Sequence, residues 1–381
     1  MVLANLRHRA VLAIKRFVYG THEEPHEIVL TNIRMSASQQ VLTANGRIRA
    51  LDGWRGVSAI MVIVSHVVPG IDFLGASGVE IFFGISGYII CRGFLTETAN
   101  YQRVSLIAFY VRRIFRIFPP LLIYVAMIAV LAWFEKVGPE AASIGRALTF
   151  SCNLPHADCG GWLGAHTWSL SVEEQFYIVI PVIFILLSAY RSSALTAVAL
   201  CLPVIVLALY ALKWTETAAF LLKFLTISMG VACALNENHM RRAAAIIPGW
   251  FAALAFVGML GIGRFTGTPA ATVVHVLLIG PLTLFVLMHA VAGKSIGNRL
   301  LASAPLSALG LISYSLYLWQ QLASYSFQRR GAALFDNQPL LFRVLAVSGC
   351  FLIAFASYYL IERHLIKLGS VIANKIRGTR K

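Results

Sequence analysis

LDGWRGVSAIMVIVSHVVPGIDF, residues 51–73, decides how the rest of the chain is read. It is apolar enough for a membrane helix, yet it carries Arg55 at its start and His66 inside its apolar run. In an α-helix that spacing sets the two about 16 Å apart along the axis and about 20° apart around it, on one face. With Arg55 at one edge of a hydrocarbon core about 30 Å thick, His66 falls slightly beyond the middle. An ionisable group at that depth is costly and points to function. The competing reading is a packed, hydrogen-bonded histidine of a helix bundle.

Composition sets this helix among others. The chain has 381 residues, 58% hydrophobic and 13% charged, with mean hydropathy +0.75. That excludes an ordinary soluble enzyme and predicts an all-α, polytopic membrane protein. Counting about 20 apolar residues per span predicts about ten transmembrane helices. They lie near 55–72, 78–95, 115–135, 173–190, 193–212, 218–235, 245–263, 271–292, 307–327 and 340–362.

The net charge of +16 raises nucleic acid as a partner, but the basic residues gather at helix ends and at the termini, so membrane topology explains them and no nucleic acid is expected. With the N-terminus in the cytoplasm, the cytoplasmic pieces carry 23 Lys and Arg and the external ones 8, Arg55 aside. An even number of spans then puts both termini in the cytoplasm. Residues 1–46 read as a basic cytoplasmic arm without a secretory signal, 47–365 as the membrane domain and 366–381 as a basic cytoplasmic tail.

The external loop of about 136–172 is the only sizeable one, and loops that long are often functional. It holds Cys152 and Cys159. Facing an oxidising compartment they would form a disulfide; free thiols are the alternative, and no metal site is expected although His156 lies between them.

Four more stretches carry chemistry. In GASGVEIFFGISGYII, residues 75–90, small residues allow close helix approach, and Ser86 sits near mid-helix. A Ser86–His66 pair would make a covalent acyl-enzyme, whereas a helix–helix hydrogen bond is the plainer reading. In YVRRIFRIFPP, residues 110–120, Arg112, Arg113 and Arg116 are spaced to share one helix face. They read equally as a phosphate clamp and as a positive-inside anchor. The Pro119–Pro120 pair predicts a kink.

In TWSLSVEEQFYIVIP, residues 167–181, Ser171 and Glu174 fit a capping box. That leaves Glu173 at the outer rim to orient or deprotonate an acceptor. Trp168 and Tyr177 offer an aromatic surface to a sugar or belong to the interfacial belt. In ISYSLYLWQQ, residues 312–321, Gln320 is polar in an apolar run and needs a partner inside the bundle.

These motifs, in this order, resemble the acyltransferase-3 family of membrane acyltransferases, which O-acetylate bacterial surface glycans, lipopolysaccharide and related molecules. The matching residues are LDGWRG with Arg55 and His66, GVEIFFGISGYII, RRIFRIFP, TWSLSVEEQFY and SYSLYLW, across residues 47–365. The resemblance implies that His66 is the essential histidine and Arg55 its paired arginine. It implies that Arg113 and Arg116 hold an acyl-CoA, and that Glu173 and Glu174 are the paired acidic positions. Gln320 stands where members often carry histidine, and Glu80 where Asp is usual.

The implied function is an O-acyltransferase of a bacterial inner (plasma) membrane. It would move an acyl group, acetyl first, from cytoplasmic acetyl-CoA or another acyl-CoA to a hydroxyl of an extracytoplasmic or membrane-associated glycan. No resident cofactor is implied, and the oligomeric state is left open. Two rivals remain at this stage: a transporter or flippase for a glycan or lipid precursor, and a membrane scaffold without catalysis.

Overall fold

The structure is a computed structural model and describes residues 47–135, 141–155, 157, 159, 161–264, 268–292, 295–326 and 339–378. The basic arm 1–46 and His156 lie outside the described residues. Among those described, every element is a helix: α1 (Arg49–Val67), α2 (Asp72–Tyr101), α3 (Leu106–Glu135), α4 (Ala141–Leu148), α5 (Gly161–Ala165), α6 (Thr167–Leu186), α7 (Arg191–Ala211), α8 (Thr215–Leu222), α9 (Leu225–Leu235), α10 (Glu237–Ile246), α11 (Trp250–Arg264), α12 (Pro269–Ala292), α13 (Ile296–Leu301), α14 (Ala304–Leu311), α15 (Ser313–Ser326), α16 (Pro339–Ser357) and, past a π-helical turn at Tyr358–Glu362, α17 (Arg363–Gly378).

Six stretches are long and apolar enough to cross a membrane: Asp72–Tyr101, Leu106–Val130, Leu163–Leu186, Arg191–Ala211, Pro269–Ala292 and Leu340–Gly378. Two bent pairs, α8 with α9 at 41° and α10 with α11 at 106°, raise the count to eight if each is one span. The protein is thus a multi-pass, all-helical membrane protein. Two of the ten predicted segments fail this test. The one near 55–72 is α1, whose first turns hold Arg49, Asp52 and Arg55. The one near 307–327 is parted into α14 and α15 at Ile312.

Polar as it is, α1 is a central helix. Leu51, Asp52, Gly53 and most of its later residues are buried, and Asp52 is satisfied by Arg47 at 2.6 Å. It can lie inside because its neighbours come close: Gly310 of α14 packs directly on the Asp52 backbone, nearer than a Cβ permits. The same device joins α2 to α9, where Gly87 meets the Ile227 carbonyl and Gly230 meets that of Gly84. Most of the core is one continuous apolar cluster that includes Ile81, Tyr88, Leu121, Tyr124, Phe184 and Leu316.

α2 ends later and α3 starts earlier than the spans predicted at 78–95 and 115–135, so the connection between them shrinks to residues 102–105. Glu97 is the reason: it is buried, accepts from the Ser105 amide at 3.0 Å and pairs with Arg377 at 2.7 Å and Arg112 at 3.7 Å. Arg377 belongs to α17, so residues 366–378, expected as a tail, are a helix packed along α3, with Gly369 against Phe115. α3 passes through Pro119 and Pro120 without ending. In the turn before them the Ile117 carbonyl accepts from the Tyr314 hydroxyl at 3.0 Å.

At the other end of the bundle Cys152 and Cys159 are joined in a disulfide. Their loop is fixed to α6. Cys152 N–H donates to Ser171 Oγ at 3.2 Å, Asn153 and Gln175 exchange two 2.8 Å hydrogen bonds, and Lys223 Nζ donates to the Asn153 carbonyl at 3.0 Å.

Candidate active site

Two narrow cavities meet in the bundle. The first, about 30 Å³, is lined by Arg113, Arg116, Ser86, Tyr177, Arg55 and Glu173, among others. The second, about 40 Å³, continues from Arg55 and Glu173 to Phe82, Ser169, Ser313, Tyr314 and Tyr317. Arg55, Leu170, Glu173 and Tyr314 line both. The two form one track, with paired arginines at one end and the disulfide end of the bundle beyond the other.

Each side chain is held by an identifiable contact. Arg113 stacks on Tyr177, with the guanidinium 4.3 Å from the ring centroid, and touches Phe109 at 5.7 Å. Tyr177 is buried and donates to Glu173 at 3.1 Å, so it is the platform of an arginine and not a sugar-facing surface. Ser86 donates a short hydrogen bond to the same Glu173 oxygen. Arg55 Nε donates to Ser313 Oγ at 3.3 Å, and its guanidinium lies 6.0 Å from the Phe82 ring.

Several expectations are corrected here. Of the two readings of Ser86 the plainer one holds: it makes a helix–helix hydrogen bond, to Glu173 of α6, and does not meet His66. Glu173 is not at an outer rim but at the junction of the two cavities. The capping box fails because α6 starts at Thr167, upstream of Ser171, whose hydroxyl donates back to the Thr167 carbonyl at 2.9 Å. Glu174, freed from that role, is buried within electrostatic range of Arg113 and Arg116. Arg112 leaves the arginine cluster for Glu97, whereas Arg113 and Arg116 reach the cavity. Trp168 is half-buried, edge-on to Phe83 at 6.0 Å, with Lys223 Nζ 5.7 Å from its ring. Glu80 is held between helices: it accepts from Thr226 Oγ1 at 2.5 Å and lies 3.8 Å from His275.

His66 sits in the last turn of α1, half-buried, because the helix ends at Val67. It lines neither cavity. Its Nδ1 lies 2.8 Å from the Val62 carbonyl. A carbonyl only accepts, so Nδ1 carries the proton and Nε2 is the basic nitrogen. Gln320 is buried on α15, with its side chain within electrostatic range of this imidazole.

Residues that sequence reasoning passed over complete the far end. Tyr317 pairs with Ser169 Oγ and donates to the His166 carbonyl at 3.1 Å. On α15, Ser313 and Tyr317 fall at helical spacing with Gln320, already singled out, and that polar face of an apolar helix is the signal that would have found them.

Fold and site define a multi-pass membrane protein with a charged track through its helix bundle. The chain belongs to the acyltransferase-3 family, whose model, described as an acyltransferase domain, matches residues 48–360. It is an acyltransferase, and neither the transporter nor the scaffold reading survives that match. A Komagataeibacter xylinus protein named as a membrane-bound transacylase, BcsY, is 29% identical over 341 residues, covering 83% of this chain and 82% of the relative. The peptidoglycan O-acetyltransferase OatA of Listeria monocytogenes is 24% identical over 84% of this chain, and the O-acetyltransferase OatA of Staphylococcus aureus 25% over 71%. The chain spans only about half of those two relatives, 56% and 49% of their lengths. No solved structure matches it.

Proposed function

We propose that the protein transfers an acyl group, acetyl first, from an acyl-CoA on the cytoplasmic side to a hydroxyl of an extracytoplasmic or membrane-associated glycan. One observation carries the reading: a single track leads from Arg113 and Arg116, past Arg55 and Glu173, to Tyr317 and Ser169. The lysine and arginine bias supports placing the arginine end, both termini and the CoA in the cytoplasm of a bacterial inner membrane. The remaining spans of the predicted ten would then include α1 and the α14–α15 pair. The names of the OatA relatives support acetyl and a cell-surface glycan.

In this reading Arg113 and Arg116 hold CoA phosphates by charge-assisted hydrogen bonds. Each cavity has room for only a water or two, so the thioester arm enters by parting the side chains that line them. Glu173, held by Ser86 and Tyr177, places a carboxylate within electrostatic range of Arg55 at the junction. At the far end His66 Nε2 takes the proton of the acceptor hydroxyl as its oxygen attacks the thioester carbon. The new C–O bond replaces the C–S bond, CoA leaves as the thiolate, and the proton passes from His66 to solvent or to CoA.

The test is the surface glycan itself. NMR of the cell-surface glycan from a strain lacking this protein is expected to show loss of O-acyl signals that return on complementation. Identical spectra with and without the protein would defeat the proposal.

A further inference from the structure

His166 lies between α5 and α6, at the turn where the disulfide loop joins the bundle. It is only 4% exposed. Its ring is flanked by Tyr124 at 5.4 Å and Tyr317 at 5.6 Å. One imidazole nitrogen is turned towards the Leu318 backbone, and neither nitrogen makes a well-formed hydrogen bond among the described residues. Buried polar groups are nearly always satisfied, so one left over calls for a group it receives.

Its position says which group. Tyr317 of α15 abuts His166, and Gln320, three residues on, lies within electrostatic range of His66. Residues three apart on a helix share a face, so α15 gathers both histidines on one side. The two imidazoles are within electrostatic range of each other. Tyr317 and Ser169 also line the far end of the track, so His166, which Tyr317 contacts, stands next to where it ends.

We propose that His166 is the acceptor-binding histidine of the transfer site, hydrogen-bonding the carbohydrate hydroxyls presented beside His66. This rests on the O-acyl transfer reading above and names the acceptor half of that site. A neutral imidazole offers one N–H and one lone pair, and a sugar hydroxyl both donates and accepts, so the two are complementary. The flanking tyrosine rings keep water away and fix the imidazole plane. His66 handles the moving proton, and His166 sets the angle at which the hydroxyl arrives.

The experiment uses the full chain in liposomes, with acetyl-CoA and the surface-glycan fraction from a strain lacking the protein. His166→Phe keeps an aromatic ring between Tyr124 and Tyr317 but removes both nitrogens. It is expected to fold with an unchanged Tm and to bind acetyl-CoA as wild type does. Transfer to the glycan should fall by about tenfold or more, the loss expected for unpaired polar groups in a binding site. The half-saturating glycan concentration should rise more than kcat falls. His166→Gln, which keeps a donor and an acceptor, should recover part of the loss. Wild-type transfer by His166→Phe would overturn the assignment and leave His166 a packing residue. Equal loss of acetyl-CoA binding would overturn it too, since the role is then not specific to the acceptor. A wild-type protein that leaves the glycan unacylated would refute the transfer reading itself, and this assignment with it.

Discussion

Replacing His66 with alanine is expected to lower acyl transfer to the glycan by about 10²- to 10⁴-fold, the range a positioned general base contributes. The Val62 carbonyl fixes the ring and its tautomer, leaving Nε2 as the base. The carbonyls that end α1 stabilise the imidazolium formed as the hydroxyl proton arrives, because a helix C-terminus favours positive charge. Affinity for acetyl-CoA should be unchanged, because His66 lines neither cavity that Arg55 shares. Purified variant protein with labelled acetyl-CoA separates the two effects. Normal glycan O-acylation in cells carrying His66→Ala would sink the mechanism.

The second large effect divides two neighbouring arginines. Arg113→Ala is expected to raise the half-saturating acetyl-CoA concentration by one to two orders of magnitude, since a hydrogen bond to a charged group is worth about 1.5–3 kcal/mol. Tyr177 holds that guanidinium at the cavity wall, so its loss also leaves the platform without a partner. Arg112→Ala should change the same quantity by less than about twofold, because Arg112 lines neither cavity and its partner Glu97 keeps Arg377 at 2.7 Å. Equal effects of the two substitutions, or none from Arg113→Ala, would remove the clamp from Arg113.

The division explains how far the sequence could be read. Arg112, Arg113 and Arg116 share a helix face by spacing, but what separates them is a carboxylate on α2 and an arginine on α17, 280 residues from Glu97. Local periodicity contains nothing of that. The Arg55–His66 register was legible because α1 is unbroken between them. The depth of His66 was not, because α1 begins six residues before Arg55 and ends one residue after His66. Its polar first turns are buried by helix contacts and by the Arg47–Asp52 pair instead of marking a water boundary.

Span counting met the same limit. It placed a span near 55–72, but the helix there, α1, carries Arg49, Asp52 and Arg55 and is packed by other helices, unlike the more apolar α7 and α12. Glu173 was legible as a functional residue but misplaced, since its partners Ser86 and Tyr177 belong to different turns of two helices. Gln320 was expected to lie inside the bundle, and it is buried there within electrostatic range of His66. The disulfide, one of two open readings of Cys152 and Cys159, is present.

The account's central claim is direction: the acyl group enters at the arginines and leaves at the histidines. Sealed vesicles of known orientation, holding the protein and its glycan acceptor, test it with labelled acetyl-CoA supplied on one side at a time. The account predicts labelled glycan only when acetyl-CoA faces the side bearing Arg113 and Arg116, with label appearing on glycan at the disulfide side. Equal labelling from the disulfide side alone would contradict it.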